Sequence, residues 1–203
     1  MSTQLRTAGL MLLTFTVLTG LVYPLAITGI AQVVFPHQAN GSVIVRDAQP
    51  IGSALIGQPF DDPKYFWSRP SATTPFPYNA GSSNGSNLAV TNPAQLDAIA
   101  QRVRRLRASD PGNTASIPAD LVTASASGLD PHISVAAARW QISRVARARG
   151  LEADVVGKLV TAATEGRQLG ALGEARVNVL TLNLALDGLP LRGEHRLPSS
   201  GTP

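Results

Sequence analysis

The sequence contains no cysteine, and this absence excludes disulfide bonds, thiolate metal sites and a cysteine nucleophile. Charge is also scarce, because charged residues make up 15% of the 203 residues while hydrophobic residues make up 44%. This balance excludes a chain that is disordered throughout. The length allows one domain of ordinary size plus a membrane anchor, but not two large domains.

Lysine is rare as well, so the net charge of +4 comes almost entirely from arginine. The arginines cluster on two predicted helices, with neither an RNP-like aromatic run nor zinc-finger spacing beside them, and we therefore expect no nucleic-acid partner. The three histidines, His37, His132 and His195, are far apart in the sequence. We accordingly predict no metal site.

Charge is absent from a long stretch near the start of the chain. No Asp, Glu, Lys or Arg lies between Arg6 and Arg46, and the apolar run Leu10–Phe35 is long enough to cross ~30 Å of hydrocarbon as a helix. We therefore assign residues 1–36 to a transmembrane anchor that Pro24 kinks. A cleavable signal peptide is the alternative, although its apolar core usually has only ~7 to 15 residues.

Two further expectations concern this helix. The lone Arg6 before it, against an Arg46 that Asp47 balances, predicts a cytoplasmic N-terminus and an extracytoplasmic domain. Thr16, Gly20 and Pro24 lie one turn apart and form a low-profile stripe against which another membrane helix could pack. An ordinary anchor without such a contact is the equal alternative.

Residues 37–187 are predicted to form a single soluble α+β domain, and residues 188–203 a flexible C-terminal tail. Val43–Val45 and Ser53–Gly57 have strand composition and could pair. The stretch from Gln58 to Asn92 is rich in Pro, Gly, Ser and Asn with interspersed aromatic residues, which predicts a long ordered loop.

Three helices are predicted after this loop. Asn92 before Pro93 begins the first, and Ser134 begins a second that ends at Gly150. The third runs over residues 152–164, with Val155, Val156, Leu159 and Val160 inward. Alternation over residues 177–186 predicts a strand, and a short helix is the alternative for its second half. The second helix carries four arginines that we expect on a solvated face: Arg139, Arg144, Arg147 and Arg149.

Ser127, Asp130 and His132 supply the residue types of a hydrolytic triad. Their spacing does not fit a nucleophile elbow, since such close neighbours rarely converge on one point. We interpret them as a turn whose side chains cap backbone groups, and predict no catalytic site. A second small-residue loop, residues 82–87, could offer backbone N–H groups to an anion or another protein, with a plain flexible turn as the alternative.

Several ordered segments together resemble the C subunit of the bacterial Kdp potassium-transporting ATPase. The resemblance rests on residues 52–58 (GSALIGQ), 65–72 (YFWSRPSA), 85–88 (GSNL), 120–134 (DLVTASASGLDPHIS) and 177–183 (VNVLTLN). It extends over nearly the whole chain in order. One departure is Asn84, where the family usually has a second glycine before Gly85.

The resemblance implies a non-enzymatic accessory subunit of a high-affinity ATP-driven potassium-uptake complex in the inner membrane. Its partners would be a channel-like potassium-translocating subunit and a P-type ATPase subunit. It would stabilise assembly and act as a catalytic chaperone that raises ATP affinity, binding no cofactor stably and sharing ATP with the ATPase subunit. A membrane-anchored serine hydrolase and an extracytoplasmic adaptor are the alternatives. The candidate interface or loop residues are Arg69, Ser83, Gly85, Ser86, Asn87, Ser127, Asp130 and His132.

Overall fold

The computed structural model describes residues 2–189, and their backbone divides into two units, one ending at Ser53 and the other beginning at Ala54. The first unit begins with helix α1 (Ser2–Val17), a π-helical turn (Leu18–Val22) and helix α2 (Tyr23–Val34). Together they form a continuous apolar helix of 33 residues, long enough to span a membrane and with none of its apolar stretch buried inside the protein.

The π-helical turn lies immediately before Pro24, the residue from which a kink was predicted. Proline has no N–H group, so the regular helical bond to the carbonyl of Gly20 is missing. A local change from α to π hydrogen bonding next to the proline accommodates this loss.

A short helix α3 (Pro36–Ala39) leads to an antiparallel hairpin of β1 (Val43–Arg46) and β2 (Gln49–Ser53). Asp47 and Ala48 connect the strands, and both have positive φ, as a two-residue primed turn requires. The first strand and the pairing are therefore confirmed. The second strand was placed about four residues too late, because this tight turn fixes the register and leaves residues 54–57 outside the sheet.

The second unit contains helices α4 (Pro93–Ser109), α5 (Val135–Arg149), α6 (Ala153–Ala162) and α7 (Val179–Asp187), with a 3-10 turn at Ala119–Leu121. Strands β3 (His132–Ser134), β4 (Thr164–Glu165) and β5 (Arg176–Asn178) form an antiparallel sheet in the order β3-β5-β4. The mixed α+β class and the single apolar N-terminal helix are as predicted.

Local sequence signals explain the first two of these helices. Asn92 caps α4 by accepting a hydrogen bond from the Ala94 N–H at 2.9 Å, and Ser134 caps α5 by accepting one from the Ala137 N–H at 3.0 Å. Gly150 ends α5 with φ +64, a left-handed conformation that glycine adopts without steric cost. The predicted start of α4 and both predicted ends of α5 are therefore confirmed.

The strand predicted over residues 177–186 is wrong for most of its length. Only Arg176–Asn178 is strand, and the helical alternative is correct, because Asn178 accepts a hydrogen bond from the Thr181 N–H and begins α7. The third helix, α6 (Ala153–Ala162), is shorter than the predicted range 152–164. Among the residues predicted to face inward, Val156 and Val160 are buried, but Val155 is exposed.

The core of the second unit lies among α5, α6 and α7. Its centre consists of fully buried side chains that include Val145, Val156, Val160, Leu182 and Leu186. The described stretch from Ala54 to Asn92 contains neither helix nor strand, which was predicted only from Gln58 onward, and it contributes Phe66 and Trp67 to this core. This aromatic loop therefore folds as part of the domain.

Candidate functional site

Two side-chain amides hold the aromatic loop against the helices. Asn183 of α7 accepts a hydrogen bond from the Phe66 N–H at 2.9 Å and donates one to the Phe66 carbonyl at 3.0 Å. Gln141 of α5 does the same for Trp67, at 2.8 Å and 3.2 Å. The two amides thereby take the place of a neighbouring strand and satisfy buried backbone groups that lack a sheet partner.

Two arginines of α5 complete this clamp. Arg144, which is 2% exposed, donates to the carbonyls of Pro63 at 2.5 Å and Tyr65 at 3.0 Å, and its guanidinium lies 4.3 Å from the centre of the Trp67 ring. Burial lowers the pKa of Arg144 to about 10, so it stays protonated at neutral pH. The guanidinium is tolerated there because carbonyl oxygens and an aromatic face replace water.

Arg149 is 6% exposed, donates to the Lys64 carbonyl at 2.8 Å and pairs with Asp187 at 2.6 Å. The expectation of a solvated arginine face is therefore wrong for Arg144 and Arg149, because the loop carbonyls require donors from α5. It is right for Arg139 and Arg147, which are exposed.

A polar cluster lies where the aromatic loop ends. Arg69 pairs with Asp130 at 3.1 Å, and Asp130 also accepts a hydrogen bond from the His132 N–H at 3.0 Å. His132 extends the cluster across the sheet, with its Nδ1 3.5 Å from Asp130 and its Nε2 3.9 Å from Glu165. The structure thus joins three of the candidate residues through Asp130.

Burial tends to raise the pKa of Asp130, but the hydrogen bonds from His132 and the charge of Arg69 outweigh it, so the pKa lies below its ordinary value. The Tyr78 hydroxyl donates to the Arg69 carbonyl, and burial raises the pKa of Tyr78 to about 12. This hydrogen bond holds the backbone at Arg69 in place. Because the pKa of Asp130 is lowered, its carboxylate is charged at neutral pH.

The candidate loop of residues 82–87 packs against the turn that contains Ser127. The Ser83 hydroxyl and the Asn84 N–H both donate to the Ser127 carbonyl at 3.0 Å. Gly85 allows this approach, since a Cβ added there would lie only 2.7 Å from the Ala126 carbonyl oxygen. Ser86 and Asn87 remain exposed beside it. The two loops therefore form one surface in the structure.

The triad residue types do not assemble into a charge-relay geometry. The Ser127 hydroxyl accepts a hydrogen bond from the Leu129 N–H at 3.1 Å, and His132 contacts Asp130 and Glu165. Among the described residues no hydrogen bond joins Ser127 to His132. Ser127 and Asp130 each accept a bond from the N–H two residues ahead, the capping turns predicted for this segment.

Sequence reasoning did not identify Gln141 or Asn183 as clamp residues, and it named Arg144 and Arg149 only as part of a solvated face. Gln141 and Asn183 did carry a signal, because each is an uncharged polar residue among apolar helix positions. A buried amide on such a face requires hydrogen-bond partners, and two backbone groups of a neighbouring segment satisfy it fully.

The sequence profile described as "KdpC: K+-transporting ATPase, c chain" matches residues 5–188 of this chain. The chain belongs to the KdpC family. A Methylococcus capsulatus relative is 61% identical over 189 residues, which cover 93% of this chain and 100% of the relative. Relatives from Polaromonas naphthalenivorans and Sorangium cellulosum are 61% and 60% identical, again over 93% of this chain, and cover 96% and 99% of their own lengths.

All three relatives carry the name "Potassium-transporting ATPase KdpC subunit". The resemblance to the C subunit of the Kdp ATPase is therefore confirmed. As a member of this family, the chain is an accessory subunit of a potassium-transporting ATPase. The family match extends through the N-terminal apolar helix and through the clamped aromatic loop. Both units of the protein are accordingly family features.

Proposed function

We propose that the chain is a non-catalytic accessory subunit of the high-affinity, ATP-driven potassium-uptake complex of the bacterial inner membrane. The observation that carries this proposal is the family match over residues 5–188, which includes the apolar helix and the folded second unit together. The helix anchors the protein beside its partners in lipid, and the second unit stabilises their assembly. The partners are a channel-like potassium-translocating subunit and a P-type ATPase subunit.

Contact with these partners runs partly through the membrane helix. Gly20 belongs to the stripe of small residues with Thr16 and Pro24. An added Cβ would meet no atom of the chain within 4 Å at Gly20 or at Gly29, so both positions have room for a larger side chain. Gly20→Leu should therefore lower the yield of both partners that co-purify with the tagged chain in detergent. Gly29→Leu is the matched control, because nine residues at about 100° each place it on the opposite face. Equal yields for the two variants would contradict this contact.

The second unit lies on the outer side of the membrane in this proposal, with the N-terminus in the cytoplasm. The support is the charge difference between Arg6 and the balanced pair Arg46 and Asp47. The native chain has no cysteine, so single-cysteine variants report the side directly. With a membrane-impermeant maleimide, Val90→Cys (85% exposed in the native protein) should react in intact cells, and Thr3→Cys only in opened cells. The reverse pattern would contradict the orientation.

The subunit also acts as a catalytic chaperone that raises the ATP affinity of the ATPase subunit. With the second unit outside the cell, this effect reaches the cytoplasmic ATP site through membrane contacts, and the chain itself holds no ATP stably. Addition of the purified chain to the two partner subunits should then lower the KM for ATP. Retention of labelled ATP by the isolated full-length chain would contradict this transmission through the membrane.

A membrane-anchored serine hydrolase is the alternative that Ser127, Asp130 and His132 raise. Ser127→Ala separates the two functions, since a turn residue can lose its hydroxyl without loss of transport, whereas a nucleophile cannot. Growth on limiting potassium should be unchanged in this variant. An extracytoplasmic adaptor would instead purify without the two larger membrane proteins.

A further inference from the structure

A cleft of about 280 Å³ opens between the aromatic loop and α4, close to the lower end of the volumes that ligand sites have. Its walls include the rings of Phe60, Trp67 and Tyr78, and the buried side chains of Leu106 and Leu121 lie at its base. Apolar and aromatic surface of this kind binds the flat or apolar part of a ligand.

Positive charge exceeds negative charge in this cleft. Three guanidinium groups, those of Arg69, Arg102 and Arg105, line it, and two carboxylates oppose them: Asp61 in the cleft and Asp130, which pairs with Arg69. Arg105 pairs with Asp61 at 2.5 Å, but both side chains are more than half exposed, so the pair is weak and exchangeable. Arg102 and Arg105 lie three residues apart on α4 and therefore share one face.

The other two arginines are partly buried. Arg102 is half-buried and donates to the Val122 carbonyl at 2.8 Å, and burial lowers its pKa because its charge is desolvated. The Nε atom of Arg69 is buried and has no hydrogen-bond partner. A buried donor without an acceptor is unfavourable, so an oxygen acceptor that reached the Nε atom of Arg69 would be stabilised there.

We propose that this cleft binds a carboxylate that carries a flat or apolar group. The carboxylate accepts hydrogen bonds from Arg102 and Arg105 and displaces Asp61, while the flat part lies against the partly exposed ring of Phe60. The Trp67 ring reports on binding because the Arg105 guanidinium lies 4.8 Å from its centre. Two sources carry this chemistry: a soluble organic anion, or an acidic side chain of another subunit. The second source rests on the proposed function, whereas the site itself does not.

The test uses the full-length chain in detergent with Trp140→Phe, which leaves Trp67 in the cleft as the sole tryptophan. Acetate and benzoate are titrated at constant ionic strength. We expect a saturable change in Trp67 fluorescence, with benzoate binding more tightly than acetate. Arg102→Gln should weaken binding by about tenfold to hundredfold, the loss of one charged hydrogen bond. Arg139→Gln, an exposed arginine outside the cleft, is the control and should bind normally.

The absence of saturable binding of both anions, or equal binding by Arg102→Gln and Arg139→Gln, would overturn the proposal. Circular dichroism of both variants, together with Arg105→Gln as a second cleft variant, separates lost binding from lost folding. The same titration on the purified complex distinguishes the sources. If the complex shows the same fluorescence response as the isolated chain, the natural ligand of the cleft is a soluble anion. If the response is lost, an acidic side chain of a partner subunit occupies the cleft.

Discussion

Replacement of Asn183 by alanine tests whether the side-chain clamp holds the aromatic loop in place. The variant loses both hydrogen bonds to Phe66 and leaves a buried N–H and a buried carbonyl without partners. Each orphaned group costs about 1–3 kcal/mol, so the second unit should lose about 2–6 kcal/mol of its free energy of unfolding. That is a large fraction of the ~5–15 kcal/mol that ordinary domains have.

The measurement is urea unfolding of the full-length chain in detergent micelles, followed by tryptophan fluorescence. Trp67 and Trp140 both lie in the second unit, so the signal reports on that unit and not on the membrane helix. With an m-value of about 2 kcal/mol/M, the midpoint should fall by about 1–3 M. Asn84→Ala is the control, since its exposed side chain has only a 3.4 Å bond to Asn87. Equal midpoints for the two variants would refute the clamp.

Two further predictions concern the paired loops and the polar cluster. Gly85→Ala should destabilise the second unit by about 1–3 kcal/mol in the same assay, because its Cβ collides with a carbonyl oxygen, whereas Gly112→Ala has open space and should stay within about 0.5 kcal/mol. The lowered pKa of Asp130 stabilises the fold above the ordinary pKa of a carboxyl group, and this contribution is lost as the pH falls through the folded-state value. Wild type should therefore exceed Asp130→Asn in stability at pH 7, and this difference should begin to shrink below about pH 4 and vanish only once the pH lies below the lowered pKa; a constant difference would contradict this assignment.

The sequence could predict those elements whose ends carry their own chemistry. Asn92 with Pro93 marks the start of α4, and Ser134 and Gly150 mark the two ends of α5, because a capping side chain or a left-handed glycine acts within a few residues of itself. Charge-free length marked the membrane helix for the same reason, since no tertiary contact is needed to recognise it. These predictions depend on local information, and the structure confirms them.

The segment after Val177 shows where local information fails. α7 buries Leu180, Leu182 and Leu186 as well as Asn183, so it has apolar residues on nearly every side and its pattern does not distinguish a helix from a strand. Only the cap at Asn178 marks the change from β5 to α7.

The buried arginines could not be predicted for a related reason. The loop carbonyls that accept hydrogen bonds from Arg144 and Arg149 lie 79 to 85 residues earlier in the chain. Which carbonyls of an irregular loop lack partners depends on the packed structure, and the spacing of residues does not reveal it. The joined surface of residues 83–85 and 126–127 is hidden from sequence patterns in the same way.

The most direct test of the account is affinity purification of the full-length chain from native membranes. The chain should leave the membrane fraction only with detergent and should elute together with two larger membrane proteins and potassium-stimulated ATP hydrolysis. A chain that appears in the soluble fraction without detergent, and that purifies alone, would contradict its role as an anchored subunit of a potassium-transporting ATPase.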